Sequence, residues 1–199
     1  MDHPHPMPLK ESIPPPRRRL VLVSGAPGAG KTTLAVPLAA ALVWPLFSKD
    51  FLKETLVEAL EGPNQELAFS RQLGGAAMEL LWKLAAFAPA AVLEANFRPH
   101  SSHERERLRA LTAEVVEVFC DCGAAEAARR FALRAAAGAH AAHPLRELPP
   151  DLLKEYDGPV GAGVVIRVDT SMPVDIASLA SQVKAAFASA GGPPSSDAH

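Results

Sequence analysis

Five short apolar runs divide the chain, and between them apolar residues recur at helical spacing. The first run, LVLVS at 20–24, does not alternate with polar residues, which suits a parallel strand buried on both faces. Further strands are predicted over 45–48, 90–95, 115–120 and 164–168. The intervening patterns predict helices near 30–43, 51–60, 65–87, 101–111, 124–137 and 175–188. Pro37 should kink the first helix by removing a backbone bond to Thr33. Asp50 is expected to cap the second, and Gly74 and Gly75 to interrupt the third. Ser101 or Ser102 should cap the fourth, with Glu104 as the capping-box partner of Ser101. Strands alternating with helices predict a three-layer α/β domain with right-handed crossovers. The stretch 138–163 holds His, Pro and Gly with little periodicity and is expected to be a lid loop. The division expected is a disordered leader (1–18), one domain (19–188, lid about 130–160) and a disordered tail (189–199).

Composition narrows the class. Of 199 residues, 48% are hydrophobic and 21% charged, with net charge −2, an ordinary balance for one domain. No basic field is present, and aromatic residues are only 6%, so a nucleic-acid partner is not expected. Arg17, Arg18 and Arg19 read as a solvated lead-in to the first strand. Cys120 and Cys122 are too few for a structural zinc site and badly spaced for a disulfide, and read as reduced thiols at a strand end. No apolar run reaches the roughly 20 residues of a membrane span, and the N-terminus has no apolar signal core, so a cytoplasmic location is expected.

The chemistry begins with GAPGAGKTT. Gly25, four intervening residues, Gly30, Lys31 and Thr32 match the P-loop spacing, after a strand and opening a helix. Amides of Gly25, Ala26, Pro27 (which lacks an N–H), Gly28, Ala29 and Gly30 form a loop that can turn toward phosphate oxygens. Lys31 can reach β- and γ-phosphates, Thr32 can serve Mg²⁺, and Thr33 continues the grip. ATP and Mg²⁺ are the expected cofactors. No guanine-reading Asn-Lys-x-Asp motif is found, and AAVLEANF makes a weak Walker B.

Asp50 ends the second strand, 19 residues after Lys31, where an open α/β sheet presents ligands. It is the candidate base for an attacking hydroxyl, with Glu54 a weaker one. Lys49 and Lys53 read as exposed helix lysines. Glu94, at the end of the third strand, is placed to hold a Mg²⁺-bound water or orient an acceptor. Asn96 and Arg98 follow on the loop where an acceptor should sit. Arg130 and Arg134, one helical turn apart, can close over a transferring phosphoryl group. Arg129 should point elsewhere. His140 and His143 lack the companions of a metal site and read as loop histidines. Trp82 reads as core.

SGAPGAGKTTLA, SKD, VLEANF, RFALR and VDTS together resemble the P-loop kinase superfamily, in particular its small stand-alone kinases of the polynucleotide-kinase, zeta-toxin, gluconate-kinase and antibiotic-phosphotransferase type. The resemblance implies a P-loop NTPase fold with a five-stranded parallel sheet in the order 2-3-1-4-5. It implies Asp50 as base, Arg130 and Arg134 as lid arginines, and Asp169 and Thr170 against the adenine. The expected function is ATP- and Mg²⁺-dependent transfer of the γ-phosphoryl group to a hydroxyl of a small molecule. A nucleotide-binding regulatory switch and a 5′-hydroxyl nucleic-acid kinase are the alternatives; oligomeric state is not legible.

Overall fold

The computed structural model describes residues 17–60, 67–138 and 140–190. The leader before residue 17 and the tail after 190 lie outside these residues. Twelve elements follow in chain order: β1 (Arg18–Ser24), α1 (Lys31–Leu42), β2 (Leu46–Ser48), α2 (Lys49–Ala59), α3 (Leu67–Phe87), β3 (Ala90–Glu94), α4 (Ser102–Ala110), β4 (Ala113–Asp121), α5 (Ala124–Ala136), α6 (Pro150–Lys154), β5 (Val164–Asp169) and α7 (Ile176–Ala190). The strands form one parallel sheet in the order β2-β3-β1-β4-β5. The fold expectation therefore holds in class, strand number and order.

Successive residues of β1 serve opposite cores. Val21 and Val23 pack with Val92, Val116 and Val118 against Leu34 and Leu38 of α1 and Leu179 and Val183 of α7. Leu20 and Leu22 pack with Ala91 and Leu93 against Leu81 and Trp82 of α3 and Leu108 of α4. This double burial is why the strand runs are continuously apolar. Trp82 is in the core, as expected, tilted against Phe97 at 5.6 Å between ring centroids.

Several local expectations are corrected. β1 starts at Arg18, not after the arginines: Arg18 Nη1 donates to Leu111 O (3.0 Å) and Arg19 faces Glu114 (3.6 Å), so both cations bind the sheet margin. α1 continues as one helix through Pro37. α2 is capped by Ser48, whose Oγ accepts from Phe51 N, while Asp50 sits inside the first turn. α3 runs unbroken through Gly74 and Gly75, each of which costs a helix about 0.5–1 kcal/mol relative to Ala. Burial of Leu73, Ala77, Leu81 and Ala85 along one face offsets that cost. The lid segment is not structureless: it carries α6 and buries Ala142, Leu148, Tyr156 and Val160.

One buried carboxylate joins three segments. Glu117, fully buried on β4, accepts from Ser24 Oγ (2.6 Å), Val160 N (2.9 Å) and Gly161 N (2.8 Å). It ties the strand end before the P-loop to the chain returning from the lid. Replacing Glu117 by Ala strands three donors, so a loss of about 3 kcal/mol or more is expected in urea unfolding. Glu117→Gln should cost less, because its carbonyl oxygen still accepts.

Candidate functional site

The P-loop is a turn that side chains would break. Gly25 has φ 134° and Gly28 φ 85°, a region disfavoured for other residues. A Cβ at Gly25 would stand 2.4 Å from Cys120 O, and one at Gly28 2.1 Å from Ala127 O. Ala29 N donates to Ala26 O (3.0 Å), closing the turn, and Gly30 N-caps α1. Lys31 is buried and its Nζ donates to Ala26 O (2.7 Å). Burial holds its pKa below the usual lysine range, against the fields of Glu94 and Asp50.

These residues form one wall of a cleft of about 1150 Å³ at the carboxyl ends of the strands. Pro27, Gly28, Gly30, Lys31, Thr32 and Thr33 line it, with Asp50, Glu94, Asn96, Arg98, Arg130 and Arg134. Sequence positions up to 107 residues apart, from Pro27 to Arg134, thus meet around one space. Gly25, Ala26 and Ala29 support the loop from behind, Ala26 and Ala29 within the apolar core. Asp169 and Thr170 are not among the lining residues. Thr170 Oγ1 donates to Ala29 O (2.8 Å) and braces the P-loop, and Asp169 Oδ1 accepts from Ser171 N.

Glu94 is 2% exposed and joins the two sides of the cleft. Its Oε1 accepts from Thr32 Oγ1 (3.2 Å) and its Oε2 from Ser48 Oγ (2.5 Å). Ser48 escaped the sequence reading, although Ser three residues before Phe51 is an N-cap signal. Through Ser48, Glu94 also fixes the turn that carries Asp50. Asp50 Oδ1 accepts from Lys49 Nζ (3.1 Å). Burial raises the Asp50 pKa, but Lys49, His143 and Lys31 together outweigh it and hold the carboxyl below its ordinary value.

The two lid arginines differ. Arg130 is engaged: Nε donates to Glu126 (2.6 Å) and Nη1 to Thr170 O (3.0 Å). Arg134 makes no ion pair among the described residues, stacks near Phe131 at 5.6 Å, and lowers the Lys31 pKa through its charge. Arg129 pairs with Glu126, away from the cleft, as expected. Arg98 pairs with Glu155 (2.9 Å) and lies over Tyr156. Cys120 is buried, which pushes its thiol up to about 12, and both cysteines are free thiols.

Lys53 is a correction. It is 6% exposed, and its Nζ donates to Ser70 Oγ (2.7 Å) and to Ala142 O (2.6 Å) of the lid. Burial, with Lys49 nearby, pushes its pKa down to about 8. The lid histidines also reach α2: His143 meets Glu54 (2.9 Å) and His140 meets Glu58 (3.3 Å). Ala142 N donates to His140 Nδ1, so Nε2 carries the proton that faces Glu58. No metal-binding group of three or more His, Cys, Asp or Glu occurs among the described residues. No described helix is long and apolar enough to cross a membrane.

The Lys53 shift has a signed consequence. Between its folded pKa of about 8 and the ordinary 10.5, the unfolded chain holds the proton and the folded chain does not. Stability therefore rises with pH across that window. Relative to Lys53→Met, the native protein should gain about 2 kcal/mol between roughly pH 7.5 and 9.5 in urea unfolding. Ser48→Ala, which removes the cap and one Glu94 partner, should cost about 1 kcal/mol in the same measurement.

The family described as an AAA domain matches residues 20–156, which span the sheet from β1 through the cleft to Tyr156. Among solved structures, the chain is similar to a candidate kinase from Chloroflexus aurantiacus J-10-fl, with 28% identity and a TM-score of 0.72 over 85% of this chain and 98% of that one. It is similar to APS kinase from Mycobacterium tuberculosis in complex with AMPPNP and APS, with 21% identity and a TM-score of 0.56 over 87% and 99%. It is also similar to shikimate kinase from Acinetobacter baumannii in complex with shikimate, with 18% identity and a TM-score of 0.56 over 87% and 95%. At those lower identities the likeness is one of fold. No curated protein matches the sequence. The chain belongs to this P-loop AAA-domain family, and its parallel sheet in the order β2-β3-β1-β4-β5 and its glycine-rich grip are those of the small P-loop kinases.

Proposed function

We propose that the protein transfers the γ-phosphoryl group of ATP to a hydroxyl of a small molecule. The observation that supports this most is the cleft that Lys31, Asp50 and Arg134 line together. A nucleotide holder needs the first of these; a half-buried carboxylate at the β2 end and a lid guanidinium with no ion pair among the described residues add what group transfer needs.

The residues present fit ATP and Mg²⁺. The P-loop turn leaves no room for a Cβ at Gly25 or Gly28 and opens directly into the N-terminus of α1, a backbone arrangement that suits phosphate oxygens. Thr32 and Glu94 offer hard oxygen donors 3.2 Å apart, the kind Mg²⁺ takes directly or through water. When bound, Mg²⁺ would neutralise the charge of the β- and γ-phosphates.

The chain's own residues supply positioning and charge. Lys31 leaves Ala26 O to meet the β- and γ-phosphate oxygens. Arg134 faces the charge that spreads over the transferring group. Asp50, held ionised by Lys49 and His143, accepts a hydrogen bond from the acceptor hydroxyl and takes its proton as the oxygen–phosphorus bond forms and the bond from the γ-phosphorus to the β–γ bridging oxygen breaks, releasing ADP. Its lowered pKa makes it a weak base, which suits a loose transition state that asks little activation of the nucleophile. Glu94 holds Thr32 and Ser48 in place. Arg130 braces α5 against the P-loop through Thr170.

The test is transfer from γ-labelled ATP to pools of sugars, nucleosides, hydroxylated antibiotics and 5′-hydroxyl oligonucleotides. Labelled product is expected from a small-molecule pool, with Asp50→Asn lowering turnover roughly 10²–10⁴-fold and leaving ATP affinity unchanged. Lys49→Met should move the acid limb of the rate profile upward in pH, because it removes a charge that depresses the Asp50 pKa. ATP binding with no product in any pool, and hydrolysis identical in Asp50→Asn, would overturn the kinase reading.

A further inference from the structure

His143 belongs to the lid, yet its ring is bound to α2. Nε2 lies 2.9 Å from Glu54 Oε1. A carboxylate only accepts, so Nε2 carries the ring proton and Nδ1 keeps a bare lone pair. Nδ1 has no hydrogen-bond partner among the described residues, and His143 lines the cleft. Glu54 follows Asp50 by four residues on α2, so the two are neighbours on one helix face. The imidazole bound to Glu54 therefore stands beside the candidate base. Asp50 gives Oδ1 to Lys49 and has no partner at Oδ2 among the described residues.

The ring is also held in place from behind. The His143 amide donates to His140 O (2.8 Å). The carbonyl of the preceding residue, Ala142, accepts from buried Lys53 Nζ (2.6 Å) and from Ser70 Oγ (2.9 Å). A buried lysine on a loop carbonyl fixes the segment that carries the ring. The charged groups about the imidazole are Asp50, Lys53 and Glu54 of α2, while Lys31, Arg71 and Arg134 line the same cleft from α1, α3 and α5. Burial outweighs the two carboxylates and holds the His143 pKa below its ordinary value, so the ring is a free acceptor at neutral pH.

We propose, resting on the kinase reading, that His143 is the exit by which the acceptor's proton leaves Asp50, and that Glu54, Lys53 and Ser70 position it. Once Asp50 has taken the proton, the O–H bond of its carboxyl breaks and an N–H bond forms at His143 Nδ1. The imidazolium so made is held by the Glu54 carboxylate. Its side chain is 27% exposed, so the proton then passes to solvent water. Asp50 returns to its ionised form without water having to reach it, and the ring returns to its neutral form for the next turnover.

The experiment uses the full chain and begins without turnover, as an NMR titration of the His143 ring. Asp50→Asn and Glu54→Gln should each lower its pKa, because each removes a carboxylate that favours the imidazolium. A His143 titration indifferent to Asp50→Asn would overturn the relay. The second readout is transfer of the γ-label to whichever acceptor the pools above yield. His143→Gly should lower kcat roughly 10–10²-fold with ATP affinity intact, and free imidazole should raise the rate of that variant roughly 10-fold. His143→Gln, which keeps a donor for Glu54, should lose as much without a change in melting temperature. The relay needs a neutral ring, so Glu54→Gln should move the acid limb of kcat downward in pH, opposite in sense to Lys49→Met. Native kcat in both His143 variants would overturn the proposal. So would a loss in both that imidazole does not restore, since the ring would then be structural. No product from the native protein in any pool would instead overturn the kinase reading beneath it.

Discussion

The site depends on one carboxylate. Glu94 ends β3, the strand between β1 and β2, and is buried with an acceptor oxygen turned to each side. One oxygen takes the hydroxyl of Thr32, at the start of α1; the other takes the hydroxyl of Ser48, at the start of α2. A buried carboxylate is tolerable only when its oxygens are satisfied. Here the partners that satisfy it belong to the helices that carry the phosphate grip and Asp50. Their relative placement follows from the solvation of Glu94 as much as from the sheet.

The lid is held by comparable means on the other side of the cleft. Lys53 and Ser70 both donate to Ala142 O, while His143 and His140 lie against Glu54 and Glu58. Around Ala142, Val57 and Leu73 form a small apolar cluster. α2 thus carries Asp50 in its first turn and anchors the lid with the rest of its length. The chain returns from the lid past Glu117, which binds it back to the strand entering the P-loop. The two ends of the lid are fastened to the two elements that hold the chemistry.

The fold was legible because its signals are local. Continuous apolar runs mark strands covered on both faces, and the eight-residue glycine pattern between β1 and α1 admits few conformations. The position of Asp50 followed from the rule that ligands meet a parallel sheet at the carboxyl ends of its strands. What misled were residues whose role depends on distant partners. Lys53 has the look of a surface lysine in KDFLKE, and only α3 and the lid closing over it make it a buried donor. Arg130 and Arg134 are equivalent by spacing, yet Glu126 and Thr170 O engage the first and leave the second facing the cleft. Gly74 and Gly75 read as helix breakers because the burial of Leu73 against α2 and the lid, and of Leu81 against the sheet, is not visible in a local window.

By itself, then, the sequence determined the architecture, the phosphate grip and the acid at the end of β2, since backbone geometry and burial periodicity act over a few residues at a time. Tertiary structure decided which charges are paired, which lysine is desolvated and which face of α3 meets the cleft. Those outcomes depend on side chains brought together from positions tens of residues apart, where water is excluded and a single partner changes what a group can do.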